Sequence, residues 1–129
     1  MIMKLELKYK DLNPCDILVA GGGSAGVAAA VSAARSGAKT VLIEKSTFLG
    51  GMATGALVTP MMKNALHDYK SGVTSLLLTK GIFLEVCERL EKAGGGGKFK
   101  DGNPGWFNPE IYKIVLDEIC TEAGVNLMF

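Results

Sequence analysis

One short segment near the start of the chain constrains the fold more than any other. Residues 16–20 form an apolar run that ends at three glycines, an alanine-rich stretch covers 24–36, and a second apolar run from Thr40 ends at Glu44. The pattern predicts a strand near 16–20, buried on both faces of a parallel sheet, a helix near 24–36 and a strand near 40–44. Strand, helix and strand within about 30 residues form a βαβ unit, whose crossover is right-handed.

The glycines between the first strand and the first helix have the spacing of a phosphate-binding turn. Gly21 allows a tight turn, Gly23 has no side chain to block a pyrophosphate, and Gly26 lets the helix pack closely on the sheet. The phosphates would lie at the helix N-terminus, where free N–H groups favour an anion. Glu44, at the carboxyl end of the second strand, is placed to accept hydrogen bonds from a ribose diol. The predicted dinucleotide site therefore contains Gly21, Gly22, Gly23, Ser24, Ala25, Gly26 and Glu44.

The remainder of the chain predicts a longer second crossover to a third strand. Residues 46–62 are apolar but broken by glycines and should be irregular, whereas 74–93 has the pattern of an amphipathic helix. A Gly- and Pro-rich stretch over 94–105 is typical of a flexible surface loop. Asn108, followed by a proline and a glutamate, begins a helix near 109–123, and a strand near 125–129 follows. We expect an α/β, partial Rossmann-like domain with a three-stranded parallel sheet.

The two later helices have apolar stripes that should face the core. The predicted buried positions are Ile82, Phe83, Val86, Cys87 and Leu90 in one helix and Ile111, Ile114, Val115, Leu116 and Ile119 in the other.

Several single side chains could carry chemistry, but each has a simpler structural interpretation. His67 beside Asp68 could be an acid–base pair, although a solvated loop histidine is favoured. Trp106 and Phe107 could stack on a ligand ring, but a role as an aromatic anchor that fastens a loop to the core is favoured. The methionines near the second glycine pair could line a pocket or fill gaps in it. No residue is assigned as a catalytic acid, base or nucleophile.

Composition excludes several classes of protein. The chain has 14 Lys and Arg against 13 Asp and Glu, a net charge of +1, so the basic footprint of a nucleic-acid binder is missing. Its three cysteines form no C-x-x-C pair, no metal site is indicated, and the segment from Met1 to Asp16 does not resemble a signal peptide, so a reduced, cytoplasmic protein is expected. The uncharged run over 17–34 contains Gly21–Gly23, which argues against a membrane span.

A second glycine pair extends the motif into a family resemblance. The glycine turn, Glu44-Lys45 and then Leu49-Gly50-Gly51-Met52-Ala53-Thr54 together resemble the amino-terminal part of FAD-dependent oxidoreductases of the glutathione-reductase-like class. The resemblance implies FAD as the cofactor, with flavin chemistry on a small-molecule substrate in the complete enzyme. It also adds residues that would contact FAD, its phosphates or its ribityl chain: Lys45, Gly50, Gly51, Met52 and Thr54.

The resemblance also implies how the chain is divided. We expect an N-terminal extension over 1–15 and, over 16–129, an incomplete FAD-binding domain with a Gly-rich insertion near 45–108. Such a chain would lack turnover by itself and would self-associate through exposed apolar surface. Two alternatives remain at this stage: an NAD-binding dehydrogenase domain, which would use the same glycine turn and Glu44, and a non-catalytic nucleotide-binding module completed by a partner chain.

Overall fold

The computed structural model of the chain describes residues 14–62, 64–68, 73–97 and 105–129. Its strands are β1 (Ile17–Ala20), β2 (Thr40–Ile43), β3 (Ala65–Asp68), β4 (Val73–Leu77) and β5 (Asn126–Met128). Its helices are α1 (Ser24–Arg35), α2 (Met52–Gly55), α3 (Ile82–Lys92) and α4 (Pro109–Glu122). Most of the predicted extension over 1–15 lies outside the described residues.

The three predicted strands form one parallel sheet in the order β1-β2-β5. Ile17 of β1 is paired with Thr40 of β2, and Val41 of β2 is paired with Asn126 of β5. Helix α1 packs on β1 and β2, α4 packs on β5, and α1, α3 and α4 contact one another. The α/β fold class and the parallel sheet are therefore confirmed.

The first strand is more exposed than predicted. Strand β1 was expected to be buried on both faces, yet Leu18 is 57% exposed and Ile17 is 40% exposed. Its pairing to β2 alone places β1 at one edge of the sheet described here, and α1 covers only the face that includes Val19. The strand that is buried on both faces is instead the central strand β2, in which Thr40, Val41 and Leu42 are all buried.

The predicted helix near 74–93 is wrong over residues 74–81. Residues 73–77 form strand β4, which pairs antiparallel with β3, and α3 begins only at Ile82. Gly81 precedes the helix with a φ of +64°, a conformation that ends any continuous helix from 74 onward. The β-branched Val73 and Thr74 suit a strand once β3 offers a pairing edge. The hairpin also places His67 and Asp68 in β3 rather than in the predicted loop.

Helix α4 begins as predicted but buries a different set of side chains. The Asn108 side chain accepts hydrogen bonds from the N–H groups of Glu110 and Ile111, at 2.9 and 3.3 Å, and so caps the helix. Ile114, predicted to be buried, is 56% exposed, whereas Tyr112 is buried. The buried positions of α4 recur every three or four residues from Tyr112, which places Ile114 on the opposite face. The core consists mainly of Val27, Ala30, Val31, Leu42, Leu49, Val86, Leu90, Phe107, Tyr112, Val115, Leu116, Ile119 and Cys120.

The connections also differ from the prediction in two places. The irregular stretch over 46–62 contains the short helix α2, and Gly95 and Gly97 are buried although a surface loop was expected over 94–105. They are buried because Gly96 forms an isolated bridge with Phe107, which draws this turn against the start of α4. Residues 98–104 of the predicted loop lie outside the described part of the chain. Among the described residues, none of the helices is long and apolar enough to cross a membrane.

Candidate dinucleotide-binding site

The glycine turn after β1 is shaped by backbone contacts. Gly21 has a φ of +104°, and its N–H donates to the carbonyl of Ile43 at 2.8 Å, which turns the chain across the end of β2. A Cβ built on Gly26 would overlap the carbonyl oxygen of Gly21, so only glycine fits where α1 crosses the turn. The conformational role predicted for Gly21 and the close approach predicted for Gly26 are both confirmed.

The second glycine pair packs directly against the first. The N–H of Gly50 donates to the carbonyl of Gly22 at 2.8 Å, and Gly50 forms an isolated parallel bridge with Gly23. A Cβ on Gly51, which has a φ of +55°, would lie 3.1 Å from the Cα of Gly23. Two glycine turns that are separated in the sequence by α1 and β2 therefore meet backbone to backbone at the start of α1.

The N-terminus of α1 is open to an anion. Gly23 is its N-cap, no side chain caps it, and no acidic residue lies in its first turn. A Cβ built on Gly23 would have no atom of the described residues within 4 Å, so among them this side of the turn is open, and both Ser24 and Ala25 are exposed. Free N–H groups and the positive end of the helix dipole attract a phosphate at such a position. The glycine cradle thus fits the pyrophosphate of a dinucleotide.

Glu44 stabilises the turn itself, a role that the sequence analysis missed. One carboxylate oxygen accepts from the N–H of Gly22 at 2.6 Å, and the other accepts from the N–H of Ser46 at 2.8 Å. These two N–H groups, Ser46 first, lower the pKa of Glu44 below its usual value. Each oxygen keeps a second lone pair, so the side chain can hold the glycine turn and still accept from a ribose hydroxyl.

A groove runs beside Glu44 at the carboxyl ends of β1 and β2. It has a volume of about 410 Å³ and is lined by Ala20, Gly21, Ile43, Glu44 and Lys45. The walls are apolar apart from the two charged side chains, and Lys45 is exposed. In open α/β sheets, ligands bind in the crevice outside the carboxyl ends of the strands. The groove is therefore shaped for the nucleoside end of a dinucleotide.

Two further residues predicted to contact FAD, Met52 and Thr54, differ in their exposure to solvent. Met52 is 69% exposed at the start of α2, whereas Thr54 is 2% exposed. The Thr54 hydroxyl donates to the carbonyl of Leu49 at 2.7 Å, which fixes the loop that carries Gly50 and Gly51. Thr54 thus stabilises the conformation of the second glycine turn.

The other aromatic and sulfur-containing candidates are only partly as expected. Phe107 is buried and anchors its loop, but Trp106 is 73% exposed, so the predicted anchor role is wrong for Trp106. Met61 packs at the edge of the core, and Met62 is 72% exposed. Burial raises the pKa of the Cys87 thiol to about 11, which leaves it unreactive.

Comparison with known proteins agrees with this geometry. A family model described as FAD dependent oxidoreductase matches residues 16–129. Dihydrolipoyl dehydrogenase of Trypanosoma brucei brucei is 41% identical over 59 residues, which cover 44% of this chain and 12% of that protein. Fumarate reductase (cytochrome) of Shewanella frigidimarina is 55% identical over 38 residues, 30% of this chain and 7% of that protein. The chain therefore spans less than a fifth of the length of either relative.

A solved structure supports the same fold. Thermovibrio ammonificans THI4 superposes with a TM-score of 0.51 and 17% identity, over 88% of this chain and 38% of that one. The family match decides between the two cofactors left open by the glycine turn, because it specifies FAD. The chain belongs to the FAD-dependent oxidoreductase family, and its cofactor is FAD.

Proposed function

We propose that this chain forms the pyrophosphate- and ADP-binding part of the FAD site of an oxidoreductase. The observation that carries the proposal is the meeting of Gly23 and Gly51 at the uncapped start of α1. The pyrophosphate would lie over this contact and accept hydrogen bonds from the first N–H groups of α1. The ADP ribose would lie beside Glu44, in the groove at the ends of β1 and β2.

The other predicted site residues have distinct proposed roles. Ser24 and Ala25 would present the first N–H groups of α1, and Lys45 would lie at the rim of the nucleoside groove. Met52, at the exposed start of α2, would contact the cofactor beyond the pyrophosphate. Thr54 would act indirectly, because its hydroxyl already holds the Gly50–Gly51 loop.

The reaction that we propose is the oxidation or reduction of a small molecule. FAD supplies the chemistry, since its ring accepts a hydride or electrons, while the protein binds and orients it. The names of the relatives, a dehydrogenase and a reductase, support a redox reaction. Because this chain spans so little of their length, we propose that its 129 residues do not turn over substrate by themselves.

A titration of the purified chain with FAD tests the proposal. Gly23→Ala should weaken FAD binding by about tenfold or more, because the added methyl projects into the phosphate position and overlap of this kind costs at least about 1.4 kcal/mol. The fold should be retained, since that methyl meets no atom within 4 Å in the part of the chain that the structure describes. Fluorescence quenching of FAD gives the affinity, and circular dichroism checks the fold.

Gly55→Ala is the matched control for this experiment. A Cβ at Gly55 would make only ordinary contact with the Phe48 ring, at 3.4 Å, and Gly55 has no positive φ. FAD affinity should be the same for this variant as for the parent chain. Equal affinity of the parent and Gly23→Ala, or no binding of FAD by the parent, would contradict the proposed site.

A further inference from the structure

Tyr112 connects helix α4 to the first residue of α1. Its hydroxyl oxygen lies 3.5 Å from Oγ of Ser24, within hydrogen-bonding distance, and the residue is only 6% exposed. A buried tyrosine hydroxyl requires a partner, and Ser24 supplies it. The two residues are 88 positions apart, so this pairing exists only in the folded chain.

The surroundings of Tyr112 fix the position of its hydroxyl. The ring packs against Phe107 with 4.7 Å between the ring centroids, and the Tyr112 N–H donates to the carbonyl of Asn108 at 2.9 Å in the first turn of α4. Burial raises the pKa of Tyr112, so the hydroxyl keeps its proton at neutral pH. The group is therefore a protonated hydroxyl held beside the start of α1, and either hydroxyl of the pair can donate to the other.

Ser24 can pass this hydrogen bond on to an anion. A serine hydroxyl donates one hydrogen bond and accepts up to two. An anion at the start of α1 would accept a hydrogen bond from the Ser24 hydroxyl, which leaves the Ser24 oxygen to accept a hydrogen bond from Tyr112. The negative charge of the anion thus fixes the direction of both hydrogen bonds: Tyr112 donates to Ser24, and Ser24 donates to the anion. Each hydrogen bond in such a chain strengthens the next.

The hydroxyl pair lies in the wall of a second cleft, on the α2 and α4 side of the glycine turn. This cleft has a volume of about 410 Å³ and is also lined by Ala53, Met61 and Phe83. The lining combines these apolar side chains with the polar Asn64 and Thr79, and within the hydroxyl pair Tyr112 is shielded from water whereas Ser24 is exposed. The shielded Tyr112 hydroxyl therefore depends on Ser24 more than an exposed hydroxyl would.

We infer that Tyr112 is a positioning residue for the cofactor pyrophosphate, because its hydroxyl orients the Ser24 hydroxyl toward a phosphate oxygen. The inference rests on the proposed function, since it requires the pyrophosphate at the start of α1. It gives α4, the last helix before β5, a direct influence on the glycine turn.

A double-mutant cycle measures this coupling. Ser24→Ala should weaken the binding of FAD and of ADP by about tenfold, and Tyr112→Phe by about fivefold, the factor of one net hydrogen bond. Tyr112→Phe in the Ser24→Ala background should cause no further loss. The 31P resonances of bound ADP should shift in Tyr112→Phe, which a residue that only packs the core would not cause. Ser36→Ala, which removes a serine hydroxyl that donates to the Ser32 carbonyl at the other end of α1, is the matched control.

Any of the following four outcomes would overturn the inference. Equal FAD affinity of the parent and Tyr112→Phe would contradict it while leaving the proposed function intact. Additive losses in the double variant would show that the two hydroxyls act independently. A loss for FAD with ADP unchanged would place Tyr112 on the flavin half of the cofactor. Failure of the parent to bind either ligand would contradict the proposed function and the inference together.

Discussion

The two crossovers of the parallel sheet are built on different principles. The first, from β1 to β2, is a single helix whose position is set by backbone contacts at Gly21 and Gly26. The second, from β2 to β5, contains α2, a hairpin, α3 and α4. Its glycine turn is joined to the first by backbone contacts, but α3 is tied to α1 and α4 by side-chain ion pairs. The contrast teaches that the packing of α1 on the glycine turn excludes an added atom at Gly26, whereas the helices of the long crossover depend on interactions that can be removed one at a time.

The largest effect should come from an added methyl in the first crossover. Gly26→Ala would place a Cβ against the carbonyl oxygen of Gly21, and backbone on both sides of the contact cannot move aside. We expect a loss of at least about 3 kcal/mol in the free energy of unfolding, the upper end for overpacked sites. Urea denaturation followed by circular dichroism measures this loss.

Gly55→Ala again serves as the control, because its Cβ makes only ordinary contact. If the Gly26→Ala chain were as stable as this control, the contrast drawn between the two crossovers would be wrong. It would show that α1 can shift away from the turn, and hence that backbone contact does not set its position.

The sequence predicts the first crossover well because its determinants are local. The glycine spacing, the apolar strands and Glu44 all lie between positions 16 and 44, and each conformation follows from the residue type. The hairpin of β3 and β4 could not be predicted in this way, because residues 73–77 also fit a helical pattern and become a strand only through pairing with 65–68. The Tyr112–Ser24 pair was likewise missed, since no local pattern reports a contact between two helices.

An intermediate effect is expected at Glu44, where the first crossover meets the start of the second. Glu44→Gln keeps the size of the side chain but replaces one acceptor oxygen with an amide that donates, so the N–H of Gly22 or of Ser46 loses its partner. We expect a loss of about 2 kcal/mol in the free energy of unfolding, together with weaker FAD binding. Glu118→Gln, an exposed position on α4, should be neutral.

Acid should reproduce the effect of Glu44→Gln in the parent chain. The pKa of Glu44 is lower in the folded state than in the unfolded state, so its stabilisation is complete above the unfolded value and is lost as the pH falls through the folded value. The stability difference between parent and variant should therefore shrink as the pH is lowered below about 4.5. A difference that does not change with pH would show that the carboxylate charge plays no part.

The smallest effect should come from the ion pairs that hold α3 in the second crossover. Glu85 accepts from Arg35 of α1 at 2.6 and 2.9 Å and from Arg89 at 2.9 Å, while Arg89 also pairs with Glu122 of α4. The network thus joins three helices. Because Arg35 is 41% exposed and Glu85 is 27% exposed, solvent screens the charges, and Glu85→Gln should cost only about 1 kcal/mol.

Salt and pH distinguish this network from the backbone contacts of the first crossover. Arg35 and then Arg89 hold the pKa of Glu85 at about 2, so its contribution is present above about 4.5 and is lost as the pH falls toward 2. High salt should reduce the effect of Glu85→Gln, whereas Gly26→Ala should cost the same at every salt concentration. Glu91→Gln, at an exposed position on the same helix, should change neither the pH dependence nor the salt dependence of stability. Suppose instead that Glu85→Gln cost as much free energy of unfolding as Gly26→Ala and that this loss did not depend on salt. The ion pairs would then stabilise the fold as strongly as the backbone contacts do, and the two crossovers would not differ in the way that their contacts indicate.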